Sequence, residues 1–258
     1  MKTTIEPIKD LEGYTTKMAK SMLDKLWWIN KVDVTAVVDY GCADGSMLKE
    51  VKRILPNVKL YGVDINVDML EIARQNVPGA TFVTPEEYEQ IDIDVSSSVI
   101  VASSMLHEIM NYSDNIHKDM ANIFLKGYKY VAIRDMFISK ESERAAVEED
   151  VANVRVKYSP TLLADFEYHC GDIAQNRNLV QFFLTYKYTA NWDREVRENY
   201  FPYTIEEFLG TYIPALYDIT YFHHYTLQYI KQIVWQDFGV QLKDKTHAQI
   251  LLEYKGER

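Results

Sequence analysis

Apolar runs and amphipathic stretches alternate through the first half of the chain. Residues 35–40 form a short β-branched run that predicts a strand, and apolar positions recur at helical spacing over residues 46–54. Further strands are predicted over residues 60–63, 80–83, 98–102 and 128–135, and further helices over residues 67–76 and 113–126, the latter beginning at Ser113 and ending before Gly127. This alternation predicts a doubly wound α/β sheet.

The pattern changes on both sides of this segment. Residues 15–30 have apolar positions at helical spacing, residues 139–158 predict one long charged helix, and mixed, aromatic-rich sequence continues to residue 217. Strands over 219–225 and 248–254 then flank a helix over 227–238 that ends at Gly239. We predict a single domain with four parts: an N-terminal helical segment 1–30, a core 31–135, a helical insertion 136–217 and a strand-helix-strand end 218–258.

Composition narrows the class of protein. The 258 residues include 38 acidic and 28 basic side chains, a net charge of −10, which disfavours nucleic acid as a partner. No apolar run approaches the ~20 residues that span a bilayer, and the first residues lack the apolar core of a signal peptide. Two cysteines without C-x-x-C spacing predict neither disulfides nor a cysteine zinc site. We expect a cytoplasmic protein with no metal site and no membrane contact.

A glycine turn follows the first predicted strand, in the sequence VVDYGCADGSML over residues 37–48. Small residues let a ligand approach the backbone, and the next helix points its N–H groups at the same place. The negative charge of Asp39 suits a ligand with an ammonium group better than a pyrophosphate. A dinucleotide dehydrogenase fits less well, because the glycines of G-x-G-x-x-G would fall on Ala43 and Ser46.

A second carboxylate, Asp64, ends the second predicted strand in the sequence YGVDIN, 19 residues after Gly45. A carboxylate at this position can accept hydrogen bonds from both hydroxyls of a ribose. The alternative is that Asp39 and Asp64 only cap the helices that follow them.

The turn, together with the strand-helix order from about residue 31 to residue 135, closely resembles motif I of the class I S-adenosylmethionine-dependent methyltransferases. The resemblance implies a Rossmann-like, mainly parallel seven-stranded sheet with a C-terminal antiparallel hairpin, and S-adenosylmethionine as cofactor with S-adenosylhomocysteine as product. It implies that Asp39 anchors the methionine part, that Asp64 binds the ribose and that Ile65 packs on the adenine. The remaining residues that it places at the cofactor are Gly41, Cys42, Ala43, Gly45 and Ser103. Ala43 stands where the family often has a glycine.

The segment ASSMLHEIMNY, residues 102–112, follows the fourth strand and should reach the same edge of the sheet. Ser104 can contact a substrate, and His107, with an ordinary pKa near 6.5, can accept a proton from an attacking oxygen or nitrogen. The alternative is a histidine that only packs against the start of a helix. Glu108 is a further candidate for substrate binding, although as the next residue it should point elsewhere than His107.

Arg134 and Asp135 end the fifth strand, where a buried strand usually has no charge, so they are candidates for substrate binding or for a structural ion pair. The aromatic residues of the insertion either roof an apolar pocket or form a small core of their own. Its basic residues alternate with acids, which is typical of a solvated face.

The motifs of two classes of methyltransferase are absent from this sequence. The N-P-P-Y sequence of amino methyltransferases is absent after the fourth strand, and neither cysteine follows a proline, as the nucleophile of cytosine carbon-5 enzymes does. With the acidic charge, this favours a small-molecule acceptor. The alternatives are a methyltransferase acting on nucleic acid such as tRNA or on protein, and a non-catalytic protein that binds an adenosyl ligand.

Overall fold

Seven strands form one sheet in the computed structural model, which describes residue 9 and residues 21–256. They are β1 (Ala36–Tyr40), β2 (Lys59–Val63), β3 (Thr81–Val83), β4 (Ser98–Ser103), β5 (Tyr130–Met136), β6 (Tyr217–Tyr225) and β7 (His247–Tyr254). The order across the sheet is β3-β2-β1-β4-β5-β7-β6. The first five strands pair in parallel, and β7 runs antiparallel to both β5 and β6. The predicted mainly parallel sheet with an antiparallel C-terminal pair is confirmed.

The helices of the core connect the strands. They are α1 (Met22–Lys25), α2 (Ser46–Ile54), α3 (Val67–Asn76), α4 (Pro85–Tyr88), α5 (Leu106–Tyr112) and α6 (Ile116–Phe124). The helices after β5 are α7 (Glu148–Lys157), α8 (Pro160–Cys170), α9 (Asn176–Thr185), α10 (Trp192–Glu195), α11 (Ile205–Thr211) and α12 (Gln228–Phe238). Both α2 and α3 have their predicted bounds. The helix predicted over residues 15–30 falls mostly outside the described residues, which include only α1.

The helix predicted from Ser113 was wrong in its start. Residues 106–112 already form α5, Ser113 follows its end, and Asn115 begins α6 by accepting a hydrogen bond from the N–H of Lys118 at 3.1 Å. The side chain that receives the first N–H groups of α5 comes from β5, so no local capping residue marks this helix in the sequence.

The long helix predicted over residues 139–158 was also wrong. It is divided into a 3₁₀ turn at Lys140–Ser142 and the helix α7. Between them, Ala145 forms an antiparallel bridge with Gln175, and the N–H of Ala146 donates to the carbonyl of Ala174 at 2.8 Å. Because these backbone groups form hydrogen bonds with a distant segment, they do not form the hydrogen bonds of a helix.

Apolar residues bury both faces of the sheet. Val38 and Ile100 belong to one buried cluster, whereas Val37 and Val99 belong to another, as expected when neighbouring residues of a strand point to opposite faces. A third cluster contains the apolar residues of the insertion and of α12, and most of the insertion's aromatic residues lie in it. These aromatics therefore form a core, as one of the two interpretations of the sequence expected. Within residue 9 and residues 21–256, no helix has the length and apolar character that spanning a membrane requires.

Candidate functional site

The turn after β1 has an unusual backbone conformation. Gly41, Ala43 and Gly45 all have positive φ angles, of 89°, 44° and 74°. A Cβ atom on Gly41 would lie 2.9 Å from Cβ of Met105, so only glycine lets the turn pass this close to the segment after β4. A positive φ is energetically unfavourable for any residue that has a Cβ atom, and residues strained in this way are found most often at functional sites. The turn at Ala43 is thus held in place by its surroundings.

Asp64 holds that turn. One of its carboxylate oxygens accepts a hydrogen bond from the N–H of Ala43 at 2.8 Å, and the other accepts one from the N–H of Asn66 at 2.8 Å. Asn66, not Asp64, caps α3, and the residue before α2 is Gly45, so Asp39 caps no helix either. The capping interpretation of the two aspartates is wrong. Each carboxylate oxygen of Asp64 has a further lone pair for a ligand, and the neighbouring side chain of Ile65 is 68% exposed.

A buried lysine accompanies Asp39. Asp39 is buried in β1, and burial raises the pKa of its carboxyl to about 7, against the opposing effect of Lys25. Lys25, in α1, is also buried, and burial together with the charge of Arg134 lowers the pKa of its ammonium to about 8. The sequence interpretation missed Lys25. Its position three residues after Met22 and next to Leu26 places it on the apolar side of the amphipathic segment, which was the available signal.

Two serines end β4. Ser103 is buried, and its hydroxyl has no hydrogen-bond partner among the residues that the structure describes. Ser104 has a positive φ of 58°, and its hydroxyl accepts a hydrogen bond from Arg134. The guanidinium of Arg134 also pairs with Asp24 at 2.7 Å. Arg134 is therefore held by α1 and by the segment after β4.

Asp135 organises the start of α5. Its carboxylate accepts hydrogen bonds from the N–H groups of Met105 and Leu106, at 3.0 and 2.6 Å, and lies 2.7 Å from Nδ1 of His107. Burial alone would raise the pKa of this carboxyl, but His107 and the backbone N–H groups outweigh burial and lower it. Asp135 thus fixes His107 with Nδ1 toward itself, which leaves Nε2 to face the other side.

The imidazole of His107 is fully enclosed and does not have the ordinary pKa that the sequence interpretation assumed. Its Nε2 lies 3.2 Å from Oε1 of Glu198, and the ring packs edge-on against Tyr200. Burial alone would lower the pKa of His107, but the charge and hydrogen bond of Asp135, together with the charge of Glu198, raise it well above 6.5. Asp135 and Glu198 thus favour the protonated form of His107.

The insertion contributes the other charged groups beside His107. Arg194 lies 3.1 Å from Glu108, and its Nε lies 3.8 Å from Glu195 and 3.9 Å from Glu198. Tyr200 donates a hydrogen bond to Glu195. The sequence interpretation missed both acids and treated Arg194 as part of a solvated face. Glu195 lies three residues after Trp192, on the same side of α10, and this spacing was the available signal; Glu198 lies beyond the end of α10, where helical spacing gives no signal.

Glu108 points into the same space as His107, contrary to the expectation from their adjacency. The carboxylates of Glu108 and Glu198 and the ring nitrogen of His107 lie within 4.8 Å of one another. They line a cavity of about 320 Å³. Its wall combines residues from the ends of β4 and β5, from the insertion and from α12, and includes Ser104, Arg134, Phe183, Tyr188, Glu195, Tyr200, Tyr229 and His247. Because the ends of parallel strands meet at one edge of a sheet, this cavity opens on the same edge as Asp39 and Asp64.

The sheet order, the strained turn after β1 and the carboxylate at the end of β2 agree with the resemblance to the class I S-adenosylmethionine-dependent methyltransferases. In agreement with this, residues 38–131 match the family model described as a methyltransferase domain.

Two curated proteins are similar to part of the chain. The trans-aconitate 2-methyltransferase of Rhodopseudomonas palustris strain BisA53 is 27% identical over 107 residues, which are 42% of this chain and 40% of that protein. The trans-aconitate 2-methyltransferase of Afipia carboxidovorans is 32% identical over 72 residues, 28% of this chain and 27% of that protein. The chain thus aligns with less than half the length of these relatives.

A solved structure extends the similarity of fold to the whole chain. The S-adenosylmethionine-dependent methyltransferase of Anabaena variabilis superposes with a TM-score of 0.50, covering 99% of this chain and 100% of that one at 11% sequence identity.

Proposed function

We propose that this protein transfers a methyl group from S-adenosylmethionine to a small-molecule acceptor bound in the cavity beside His107. The enclosed, partly aromatic cavity at the carboxyl edge of the sheet carries this proposal, because such a space suits a small ligand. A polyanion would need a free basic patch. Among the described residues, Arg134 and Lys187, which line the cavity, and Arg194, which contacts Glu108, each lie beside a carboxylate.

The residues at the turn fit the cofactor chemically. Asp39 and Lys25 are buried groups of opposite charge that interact electrostatically, and they complement the ammonium and carboxylate of the methionine part. Asp64 offers lone pairs to the ribose hydroxyls, and exposed Ile65 offers an apolar surface to the adenine. Gly41, Cys42, Ala43 and Gly45 supply the close backbone of the turn, and the unpartnered hydroxyl of Ser103 supplies a further polar contact.

When bound, S-adenosylmethionine supplies a methyl group already activated by its sulfonium. The protein's own task is to hold the acceptor atom close and in line, which accounts for much of the rate of such displacements. His107, fixed by Asp135, directs Nε2 toward the acceptor space, where its unprotonated form accepts the proton that a hydroxyl or ammonium acceptor releases. Arg134 and Asp135 act through their neighbours, Ser104 and His107, rather than through the acceptor.

The first test is calorimetric titration of the protein with S-adenosylmethionine, S-adenosylhomocysteine and NAD in parallel. We expect both adenosyl ligands to bind and NAD not to bind. Transfer of a labelled methyl group to small acceptors then tests activity, with tRNA and protein extracts as the alternative acceptors. Binding of NAD alone, or transfer only to a macromolecule, would contradict the proposal.

Lys25 gives a prediction specific to the amino-acid end of the cofactor. Lys25→Met should weaken binding of S-adenosylhomocysteine by roughly tenfold or more, the value of a charge-assisted contact. Adenosine, which lacks the carboxylate, should bind the variant and the native protein equally. Calorimetry with the two ligands measures the difference, and Lys31→Met is the control. An equal loss for adenosine would contradict this assignment.

The protonation of His107 can be measured without knowing the acceptor. Asp135 and Glu198 favour the imidazolium, while Glu108 and Arg194 nearby oppose each other, so nuclear magnetic resonance should find His107 still protonated above pH 6.5. Glu198→Gln should lower its pKa, since it removes one of the two adjacent negative charges. Once an acceptor is known, turnover should rise with pH as the ring loses its proton. His107→Gln should lower turnover ~10²- to 10⁴-fold with little change in cofactor affinity. A native pKa below 6.5 would contradict the assignment.

A further inference from the structure

Among the described residues around the cavity, negatively charged groups outnumber positively charged ones. Arg134 is paired with Asp24 at 2.7 Å, Lys187 with Asp237 at 2.6 Å and His107 with Asp135 at 2.7 Å. Burial lowers the pKa of His247 well below its usual value, so this ring is neutral. Among the described residues that line the cavity or touch its charges, three carboxylates remain, those of Glu108, Glu195 and Glu198, and they share the single guanidinium of Arg194.

Glu198 is the acid that has a carboxylate oxygen available to a ligand. It is 3% exposed, and its Oε1 accepts no hydrogen bond from any described residue, although Nε2 of His107 lies 3.2 Å away. A buried carboxylate oxygen without a donor is costly, and it is commonly completed by a ligand or an ordered water. Because Glu198 lines the cavity, this oxygen has access to whatever the cavity binds.

The neighbouring acids respond to this excess of negative charge. Burial and the charge of Glu198 raise the pKa of both Glu108 and Glu195 to about 7. An anion in the cavity would add to the repulsion, whereas a cation would relieve it. The other walls contain Phe183, Tyr188, Tyr200 and Tyr229. Such rings contact an apolar body and also attract a cation through their faces.

We propose that the acceptor is an amine with an apolar body, which enters the cavity as an ammonium ion bound by Glu198 and Glu108 and is methylated on nitrogen. This proposal rests on the proposed methyltransferase function and names the acceptor class. The ammonium gives one proton to unprotonated His107, which releases it to solvent. The nitrogen lone pair then forms the new bond to the methyl carbon as the bond from that carbon to sulfur breaks. The products are the N-methylated ammonium ion and S-adenosylhomocysteine.

The relatives named for trans-aconitate act on a polycarboxylate, and the cavity described here is unsuited to one. The residues after β5 that supply Glu195 and Glu198 therefore decide the acceptor. The cofactor turn is common to the class and carries no information on this choice.

The test compares three probes that share a phenyl ring and differ in charge, together with one tricarboxylate. The protein, saturated with S-adenosylhomocysteine in buffer with EDTA, is titrated with phenethylamine, phenethyl alcohol, phenylacetate and trans-aconitate. EDTA keeps divalent ions from the carboxylates. The amine should bind at least tenfold more tightly than the alcohol, and the two anions more weakly still. Glu198→Gln should remove most of the amine's advantage and leave binding of the alcohol and of S-adenosylhomocysteine unchanged. The matched control is Glu149→Gln, a change at an exposed acid of α7, which should alter none of the four.

Three results would overturn the amine assignment: an alcohol or anion that binds as tightly as the amine, an amine preference that survives in Glu198→Gln, or no amine binding at millimolar concentration. Failure of the methyltransferase function is seen separately, because the cofactor product is titrated first and alone. If it does not bind, the amine series is repeated without it. A preference for the amine then supports a cation-binding cavity while the proposed methyl transfer fails.

Discussion

Asp64→Ala is expected to weaken binding of S-adenosylhomocysteine and of adenosine alike, by roughly 10- to 150-fold, the equivalent of ~1.5–3 kcal/mol for a charge-assisted hydrogen bond. The reason is twofold. The variant removes the acceptor that we propose for the ribose hydroxyls, and it also frees the N–H of Ala43, whose strained backbone Asp64 holds at 2.8 Å. Calorimetry with both ligands measures the effect.

Two further variants separate these contributions. Asp64→Asn keeps one oxygen that can accept from Ala43 but loses the charge, so its affinity should fall between the native protein and Asp64→Ala. Asp68→Ala removes an exposed acid in the first turn of α3 and should leave the affinity nearly unchanged. If Asp64→Ala bound both ligands as the native protein does, the ribose assignment would be wrong.

Asp135→Ala is expected to destabilise the folded protein by about 3–5 kcal/mol, as removal of one partner from a buried charged pair does. The loss is large because four groups lose an acceptor at once: the N–H groups of Met105 and Leu106 at the start of α5, the N–H of Met136, and Nδ1 of His107. Denaturation in urea at neutral pH, followed by circular dichroism, measures the free energy of unfolding.

The pH dependence of this contribution follows from the lowered pKa of Asp135. A carboxyl whose pKa is lower in the folded than in the unfolded state stabilises the protein above its unfolded pKa of about 3.9. That contribution is lost as the pH falls from there through the folded value. The matched control is Asp218→Ala, which removes an exposed ion pair with Lys255 and should cost no more than about 1 kcal/mol. A similar small loss for Asp135→Ala would show that the buried network contributes little.

The sequence predicted the elements whose signals are local. The spacing of apolar residues predicted the observed bounds of α2 and α3. The sequence also predicted that the turn after β1 and the acid after β2 form one ligand site, and in the structure a hydrogen bond joins them. Both belong to motifs in which every needed residue is close in sequence. The missed boundary of α5 has the opposite cause. Its first N–H groups are received by Asp135, 29 and 30 residues away, so nothing nearby marks its start.

By itself the sequence determined the class of fold and the cofactor turn, because strand period, glycine turn and strand-end carboxylates are properties of short segments. Only the tertiary structure decided the environment of His107 and the character of the acceptor cavity. Arg194 meets Glu108 across 86 residues of chain, and Glu198 meets His107 in the same way. The pKa of a buried group depends on which charges lie within a few ångströms of it, and that is set by packing between distant segments. The insertion, for which the sequence left two roles open, is therefore the part that we expect to select the acceptor.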